Sequence, residues 1–410
     1  MRRIRQAGPP VLIVALIAGT IGYILGRTQE HAPVAEASAQ PTTTTIDGQE
    51  NAAANRNAQE SDQKYPRSYF PNTEKLGENE MRITALGTGM PNVAYGSASA
   101  SFLVELGNGD KFLFDFGNGA MNSLAALQVD YAETDKVFIG HLHTDHAGDL
   151  SILLIGGWFG SRHTPLHVYG PSALLPEHGI KAHTEHLMKA WDWDISSRAG
   201  GLPNAGGQIV AHEHDYSETA VIYDENGVQV TSFPAVHIRD GTVSYRLDWE
   251  GLSFVFSSDT EPNQWYLEEA KDADVAVHGT WPTAKAWAKI SGQSEELANF
   301  VVNNVHTSPQ AFGKIMSQVK PRLAVAYHYW NHRDIEFDVH AGILETYDGP
   351  LALAADMTVI NVTPDHIEVR ELSRDSTAWP RLPSEEYGAA PRSGIPKGLK
   401  SDWLTEGVRR

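Results

Sequence analysis

The stretch "HLHTDHAGDL", residues 141–150, holds three histidines and two aspartates directly behind the apolar run "KVFIG". Side chains alternate along extended backbone, so His141 and His143 project to the same side and two neutral imidazoles can grip one cation. Asp145 and His146 follow on a turn, and Gly148 lets the backbone bend back. One short loop thus offers four donor side chains. Nitrogen and oxygen donors without sulfur suit zinc, and also manganese or iron. The plain alternative is a solvated loop that happens to be rich in histidine.

One loop leaves a cation under-coordinated, so further donors must arrive from other strand ends. Three residues qualify: His237 closes "SFPAVH", Asp259 closes "FVFSSD" and His328 closes "LAVAYH". Each polar group stops a strongly apolar run, where burial demands a partner. The chain has no cysteine, which removes disulfides, thiolate zinc sites and a cysteine nucleophile together.

The elements that must position these residues begin at Met81. "MRITALGTG" reads as a strand and a glycine turn, and "SASFLVELGNGDKFLFDFGNG" as two strands joined at Gly107–Gly109 in a hairpin. "MNSLAALQV" reads as a short helix, "KVFIG" and "LHVYG" as strands, and 172–194 as one helix with Pro176 near its start. "GVQVTSFPAVH", "VSYRLDWEGLSFVFSSD", "DVAVHG" and "RLAVAYHYW" supply further strands. Ser308 is placed to cap a helix over 308–319, with Pro309 in its first turn. Strands interleave with helices and several end in His or Asp. This predicts an α/β fold of two sheets between helices, with a site along one edge.

At 410 residues the chain is long enough for one large domain or two small ones. Its 51 acidic against 32 basic residues give a net charge of -19, which repels phosphate backbones and disfavours a nucleic-acid partner.

"HLHTDH" resembles the H-x-H-x-D-H signature of the metallo-β-lactamase superfamily. The order of His237, Asp259 and His328, together with "ALGTGMP" and the "HTS" of 306–308, resembles its ribonuclease Z-like branch. "GHLHTDHAGDL", "GGWFG" and "KPRLAVAYH" look closest to hydrolases of the guanitoxin-biosynthesis type. The likeness spans about 81–370. It implies a four-layer αββα sandwich with two divalent metal ions, most simply Zn2+. By position, His141, His143 and His237 would hold the first, Asp145, His146 and His328 the second, and Asp259 would bridge them. Such a pair lowers the pKa of a shared water towards neutrality, and the hydroxide attacks an ester. Asp145 is also expected to orient the nucleophile. Asp115, in "FLFDFGNG", is expected to accept a proton from a ligand imidazole, with a turn-forming aspartate as the alternative.

One position departs from the branch. Where a glutamate usually follows the histidine of a late strand, "VAVHGTW" has Gly279. His278 and His306 remain. His278 is expected beside the ligands as a supporting residue, and His306 as general acid, unless the leaving group needs none. The missing carboxylate counts against tRNA 3′ processing. His163, His167, His183 and His186 are expected to be structural. The alternative for the helical pair is a cap over the cleft, with Trp191 and Trp193. His212, His214, His332, His340 and His366 are expected at the surface.

At the N-terminus, Arg2, Arg3 and Arg5 precede an apolar run over 11–25. The expected reading is a transmembrane anchor over 1–27 with the bulk of the chain translocated to a periplasmic or extracellular side. A cleaved signal peptide and a core helix are the alternatives. Residues 28–66 lack large apolar side chains and read as a flexible linker. The hydrolase domain is expected over 67–375, with a loop-like tail over 376–410. The expected activity is hydrolysis of a small phosphodiester or sulfate ester. The alternatives are a ribonuclease Z-like endonuclease, a lactonase or β-lactamase, and a non-catalytic metal-binding protein. Members of the superfamily are often dimers, so a homodimer is compatible with the resemblance.

Overall fold

A computed structural model describes residues 65–381, apart from residue 376. The expected anchor, almost all of the linker and most of the tail lie outside the described residues. No helix among the described residues is long and apolar enough to cross a membrane.

Strands β1 (Ser68–Tyr69), β2 (Met81–Gly87), β3 (Ser101–Leu106), β4 (Lys111–Phe114), β5 (Lys136–Phe138), β6 (Leu166–Pro171) and β7 (Ile209–His214) open the chain. They are followed by β8 (Ala220–Glu225), β9 (Val228–Pro234), β10 (Val243–Trp249), β11 (Leu252–Phe256), β12 (Val275–Gly279), β13 (Leu323–Tyr327) and β14 (Leu351–Leu353). Two last strands, β15 (Thr358–Val362) and β16 (Ile367–Leu372), return to the first sheet. That sheet runs β1-β16-β15-β2-β3-β4-β5-β6-β7, and the second runs β14-β13-β12-β11-β10-β9-β8.

Alternation explains the stacking. In β3, Phe102, Val104 and Leu106 enter the core between the sheets, and Leu103 points to the opposite layer. Phe114, Phe138, Tyr245, Phe254 and Phe256 meet in that inter-sheet core, with ring centroids 5.1–6.1 Å apart where Phe114 touches its neighbours. Helices α1 (Ala120–Ala126), α2 (Thr144–Ala147), α3 (Leu150–Gly160), α4 (Ile180–Ala190) and α5 (Asp192–Arg198) lie on the first sheet's outer side, where all five contribute to one apolar cluster. Helices α6 (Gln264–Glu269), α7 (Ala284–Ser291), α8 (Glu295–Asn304), α9 (Pro309–Val319) and α10 (Arg333–Leu344) follow, and α6, α7, α9 and α10 feed the cluster outside the second sheet. The result is the αββα layering expected of the sequence.

Ser308 caps α9 by accepting from the N–H of Ala311, with Pro309 in the first turn, as its sequence position predicts. The single helix expected over 172–194 is instead a 3-10 turn at Pro176–His178, then α4, then α5. Gly179 is extended and precedes α4, and the carboxylate of Glu213 packs beside its Cα and accepts from the Lys181 N–H in the first turn. Strands β1, β7, β8 and β14 to β16 and helices α2, α3, α6, α7, α8 and α10 were not anticipated.

Candidate metal centre

The candidate residues converge because the strands that carry them run the same way. Asp115 follows β4, the histidine loop follows β5, His237 follows β9, Asp259 follows β11 and His328 follows β13. Each therefore lies beyond the carboxyl end of its strand, on one edge of the sandwich. The two sheets are tied together there: the N–H of Val243 donates to the Gly140 carbonyl at 3.0 Å, and Tyr245 Oη–H to that of Ile139 at 2.7 Å.

Two donor groups form. His141, His143, His237 and Asp259 make one, and Asp145, His146, Asp259 and His328 the other, with the donor atoms of each within 4.8 Å of one another. Asp259 belongs to both. Its Oδ2 lies 4.0 Å from His141 Nε2 and 3.8 Å from His237 Nε2, and its Oδ1 lies 3.4 Å from His146 Nε2 and 3.3 Å from His328 Nδ1. His146 Nε2 and His328 Nε2 face each other at 3.3 Å, as His141 Nε2 and His143 Nδ1 do at 3.0 Å.

These residues fit a pair of divalent cations. Buried nitrogen and oxygen atoms with lone pairs turned on one another are costly unless something positive lies between them. Asp145 Oδ1, Asp259 Oδ1 and His237 Nε2 are buried without a hydrogen-bond partner. The donor set, three imidazoles with a carboxylate and two imidazoles with two carboxylates, contains no sulfur and suits zinc, manganese or iron.

A surrounding layer fixes three of the imidazoles, those of His146, His141 and His237. Asp115 Oδ2 lies 2.6 Å from His146 Nδ1, and its Oδ1 accepts from the Gly140 N–H at 2.7 Å. Ser258 Oγ donates to Asp115 at 2.9 Å and lies 3.2 Å from His141 Nδ1. His237 Nδ1 donates to the Val305 carbonyl at 2.8 Å. In each case the second ring nitrogen is turned towards the donor group, the arrangement by which partners set tautomer and ring orientation. Ser258 and the Val305 carbonyl were not singled out from sequence. The serine carries no distinguishing spacing, and a carbonyl is common to every residue.

Asp115, Ser258 and His328 all adopt left-handed backbone, with φ of 52°, 51° and 67°. Non-glycine residues seldom sit there, and each such residue costs about 1 kcal/mol or more. The strain falls where strands must turn abruptly to aim a side chain.

Electrostatics follow from burial and charge. Burial lowers the His146 pKa, but the carboxylates of Asp259, Asp145 and Asp115 outweigh it and hold it well above the usual histidine range. Burial raises Asp259, but the imidazoles of His328 and His146 hold its carboxyl well below the usual range. His141 is pushed far down by burial and by neighbouring His146.

His306 lies beside the shared carboxylate, with its Nδ1 3.7 Å from Asp259 Oδ2, and stacks on Trp281 at a centroid distance of 3.7 Å. A Cβ added at Gly279 would stand 3.8 Å from Asp259 Oδ1 and 3.7 Å from His328 Cβ. His278 faces the other way: its Nδ1 donates to the Gly279 carbonyl at 2.7 Å and its ring packs on Tyr266 and Phe312 in the helix layer. Its position on β12 explains this, because alternation sends Val277 to the inter-sheet core and His278 outward. It therefore does not stand beside the donors as expected, but in the helix layer.

Three other expectations change. His183 and His186 line a cavity of about 290 Å3 together with His141, His143 and His237. His214 is not a surface group: both ring nitrogens are buried, and burial lowers its pKa to about 4. His212 is half-buried, stacking on Tyr169 at 4.2 Å. His332, His340 and His366 are exposed as expected. A larger cavity, about 770 Å3, lies between α7, α10 and the loop around Tyr95 and contains none of the seven donors.

Two sheets with helices outside them, and a shared aspartate between two histidine-rich donor groups, define a metallo-β-lactamase-fold hydrolase of the ribonuclease Z-like branch. The relatives agree. A ribonuclease Z from Mycobacterium marinum is 32% identical over 202 residues, covering 48% of this chain and 70% of that protein. One from Mycobacterium avium is 32% identical over 204 residues, covering 48% and 69%. Among solved structures, the metallo-β-lactamase-fold protein YhfI from Bacillus subtilis aligns with a TM-score of 0.52 at 14% identity, covering 69% of this chain and 100% of that one. The short form of human tRNase Z aligns with a TM-score of 0.52 at 17% identity, covering 69% and 99%, and at that identity the likeness is one of fold. Within this class the chain belongs to the family described as anti-Pycsar protein Apyc1, which matches residues 81–336. None of the relatives named here is a guanitoxin-biosynthesis hydrolase.

Proposed function

We propose that the protein is a dinuclear, metal-dependent hydrolase of small esters, either phosphodiesters or sulfate esters. The observation that carries this is Asp259, whose two oxygens face two separate donor groups. His141, His143 and His237 would hold one divalent cation and Asp145, His146 and His328 the other, with Zn2+ the simplest occupant. Such a pair supplies charge neutralisation and lowers the pKa of a coordinated water. The chain's own groups do the rest. Asp145, whose Oδ2 lies 3.1 Å from His328 Nε2 with Oδ1 free, can orient the attacking water through that second oxygen. His306 stands beside the shared carboxylate; burial lowers its pKa well below the usual range, so the neutral ring can hydrogen-bond to the departing oxygen and must first gain a proton to serve as general acid.

The ribonuclease Z reading is favoured by the names of the relatives. Against it stand the net charge of -19 and Gly279 where that branch carries a glutamate. Full-length protein loaded with zinc or manganese should hydrolyse bis(p-nitrophenyl) phosphate or p-nitrophenyl sulfate, and leave pre-tRNA and a lactone untouched. Cleavage of pre-tRNA alone would transfer the assignment to the nuclease. No turnover of any substrate would favour a metal-binding role without catalysis.

Export through the arginine-flanked apolar run at 11–25 belongs to the same proposal. Alkaline phosphatase fused to the C-terminus should be active in a bacterial host, and a silent fusion that accumulates normally would rule export out.

A further inference from the structure

The cavity of about 770 Å3 between α7, α10 and the loop around Tyr95 has walls of opposite charge. Its volume is that of a pocket for a small molecule. Lys285 and Lys289 line it from α7, and Asp334 and Asp338 line it from α10. Each pair is spaced four residues apart, so each stands on one face of its helix. None of these four side chains forms an ion pair or a hydrogen bond with another described residue.

Arg374 adds a third cation, steadied by its bond to the Asp356 carbonyl at 3.0 Å. Asp356 also lines the cavity, but its carboxylate is already engaged. It accepts from the N–H and the hydroxyl of Thr88 at 2.9 Å and from the Ala98 N–H at 2.6 Å. The rest of the lining includes Ala286, Ile290, Ile335 and the half-buried Trp330, an apolar floor between the charged walls. A ligand that suits all of this has an apolar body, an ammonium for the aspartates and a carboxylate for the cations. A free amino acid carries both charges on one carbon. Two or three residues of extended peptide, at about 3.3 Å each, put them at opposite ends.

The cavity wall also touches the supports of the metal centre. Trp287 on α7 meets Trp281 at a centroid distance of 5.0 Å, and Trp281 stacks on His306. Trp281, Trp287, and Ala298 and Val302 of α8 share one apolar cluster. Helix α8 runs into Val305, whose carbonyl accepts from His237 Nδ1. A ligand that fixes α7 therefore bears on how firmly His237 is aimed.

We propose that this cavity is an effector site for a short apolar peptide with free termini, and that its occupation tightens cation binding at the first donor group. The site stands whether or not the protein hydrolyses esters.

The dipeptide leucyl-phenylalanine, titrated calorimetrically into the full-length, chelator-treated protein, tests the binding. N-acetyl-leucyl-phenylalanine lacks the ammonium and leucyl-phenylalanine amide lacks the carboxylate. Each should bind about fivefold more weakly, the worth of one exposed ion pair. In the variant Asp334→Asn with Asp338→Asn the acetylated and free peptides should bind alike. In Lys285→Gln with Lys289→Gln the amide should lose most of its disadvantage. These are exposed side chains, so both variants should melt as the parent does. Competition with a chelating dye tests the coupling: saturating dipeptide should raise zinc affinity about fivefold or more, and by reciprocity zinc should raise peptide affinity by the same factor. The site is overturned if millimolar dipeptide gives no heat, or if the four substitutions leave the ranking of the three peptides unchanged. It is equally overturned if peptide affinity falls as protein concentration rises, since a second copy of the chain would then fill the groove. Zinc affinity indifferent to bound dipeptide would overturn the effector role.

Discussion

At the scale of single residues, the site is a set of polar atoms that other polar atoms aim. Ser258 is the clearest case, since it donates to Asp115 and lies beside His141 Nδ1. Ser258→Ala should leave the fold intact and weaken cation affinity by about tenfold to a hundredfold, the usual cost of losing such a partner. Competition with a chelating dye measures this, and unchanged affinity would mean that the imidazoles need no help. Gly279 gives a second test. Its φ is not in the left-handed region, and a side chain there would start beside Asp259 Oδ1. Gly279→Glu is expected to raise the phosphodiesterase rate by restoring a proton-donating pair with His306. An equal or lower rate would mean that the glycine is no loss. The donors themselves were legible in the sequence, four from their spacing in one loop and His237, Asp259 and His328 because each stops an apolar run. Ser258, Trp281 and the Val305 carbonyl were not, because their importance comes only from what the fold sets next to them.

At the scale of elements, alternation along strands decides which histidines meet the centre. His278, on β12, faces Tyr266 and Phe312, with Nε2 buried and unpartnered. Burial lowers its pKa to about 4, against an ordinary 6.5. Its folded pKa lies below its unfolded one, so the unfolded chain takes up the proton first. Stability is then complete above about pH 6.5 and falls as pH drops towards 4. For a group buried this fully, the difference amounts to roughly 3 kcal/mol. His214 at the end of β7 shifts the same way. Urea denaturation of the chelator-treated protein should show a falling midpoint between pH 6.5 and 4.5, and His278→Phe should flatten that slope. An identical slope in the variant would remove His278 as its source. The strands around the site were readable from their apolar runs. Strands β7 and β8 are half-exposed edge segments rich in His, Glu and Asp, and pattern alone did not separate them from loops. The break between the 3-10 turn and α4 falls at Gly179, beside which Glu213 packs, a contact 34 residues away that no local pattern encodes.

At the scale of the whole molecule, the donors come from both sheets: the loop after β5 in the first, and the ends of β9, β11 and β13 in the second. Cations bound there would link the two layers across their edge, adding to the aromatic core between them. Ligand binding to the folded state alone raises stability by mass action. Removing metal should therefore lower the melting temperature by several degrees, and zinc or manganese should restore it. A melting curve indifferent to chelator would argue that the sheets are joined by packing alone. The left-handed turns at Asp115, Ser258 and His328 carry one more implication, for protein engineering. Copying the seven donor residues onto regular strands of a foreign scaffold would reproduce their identities and miss their bearings. A transplant would succeed only if these three backbone corners travelled with the side chains.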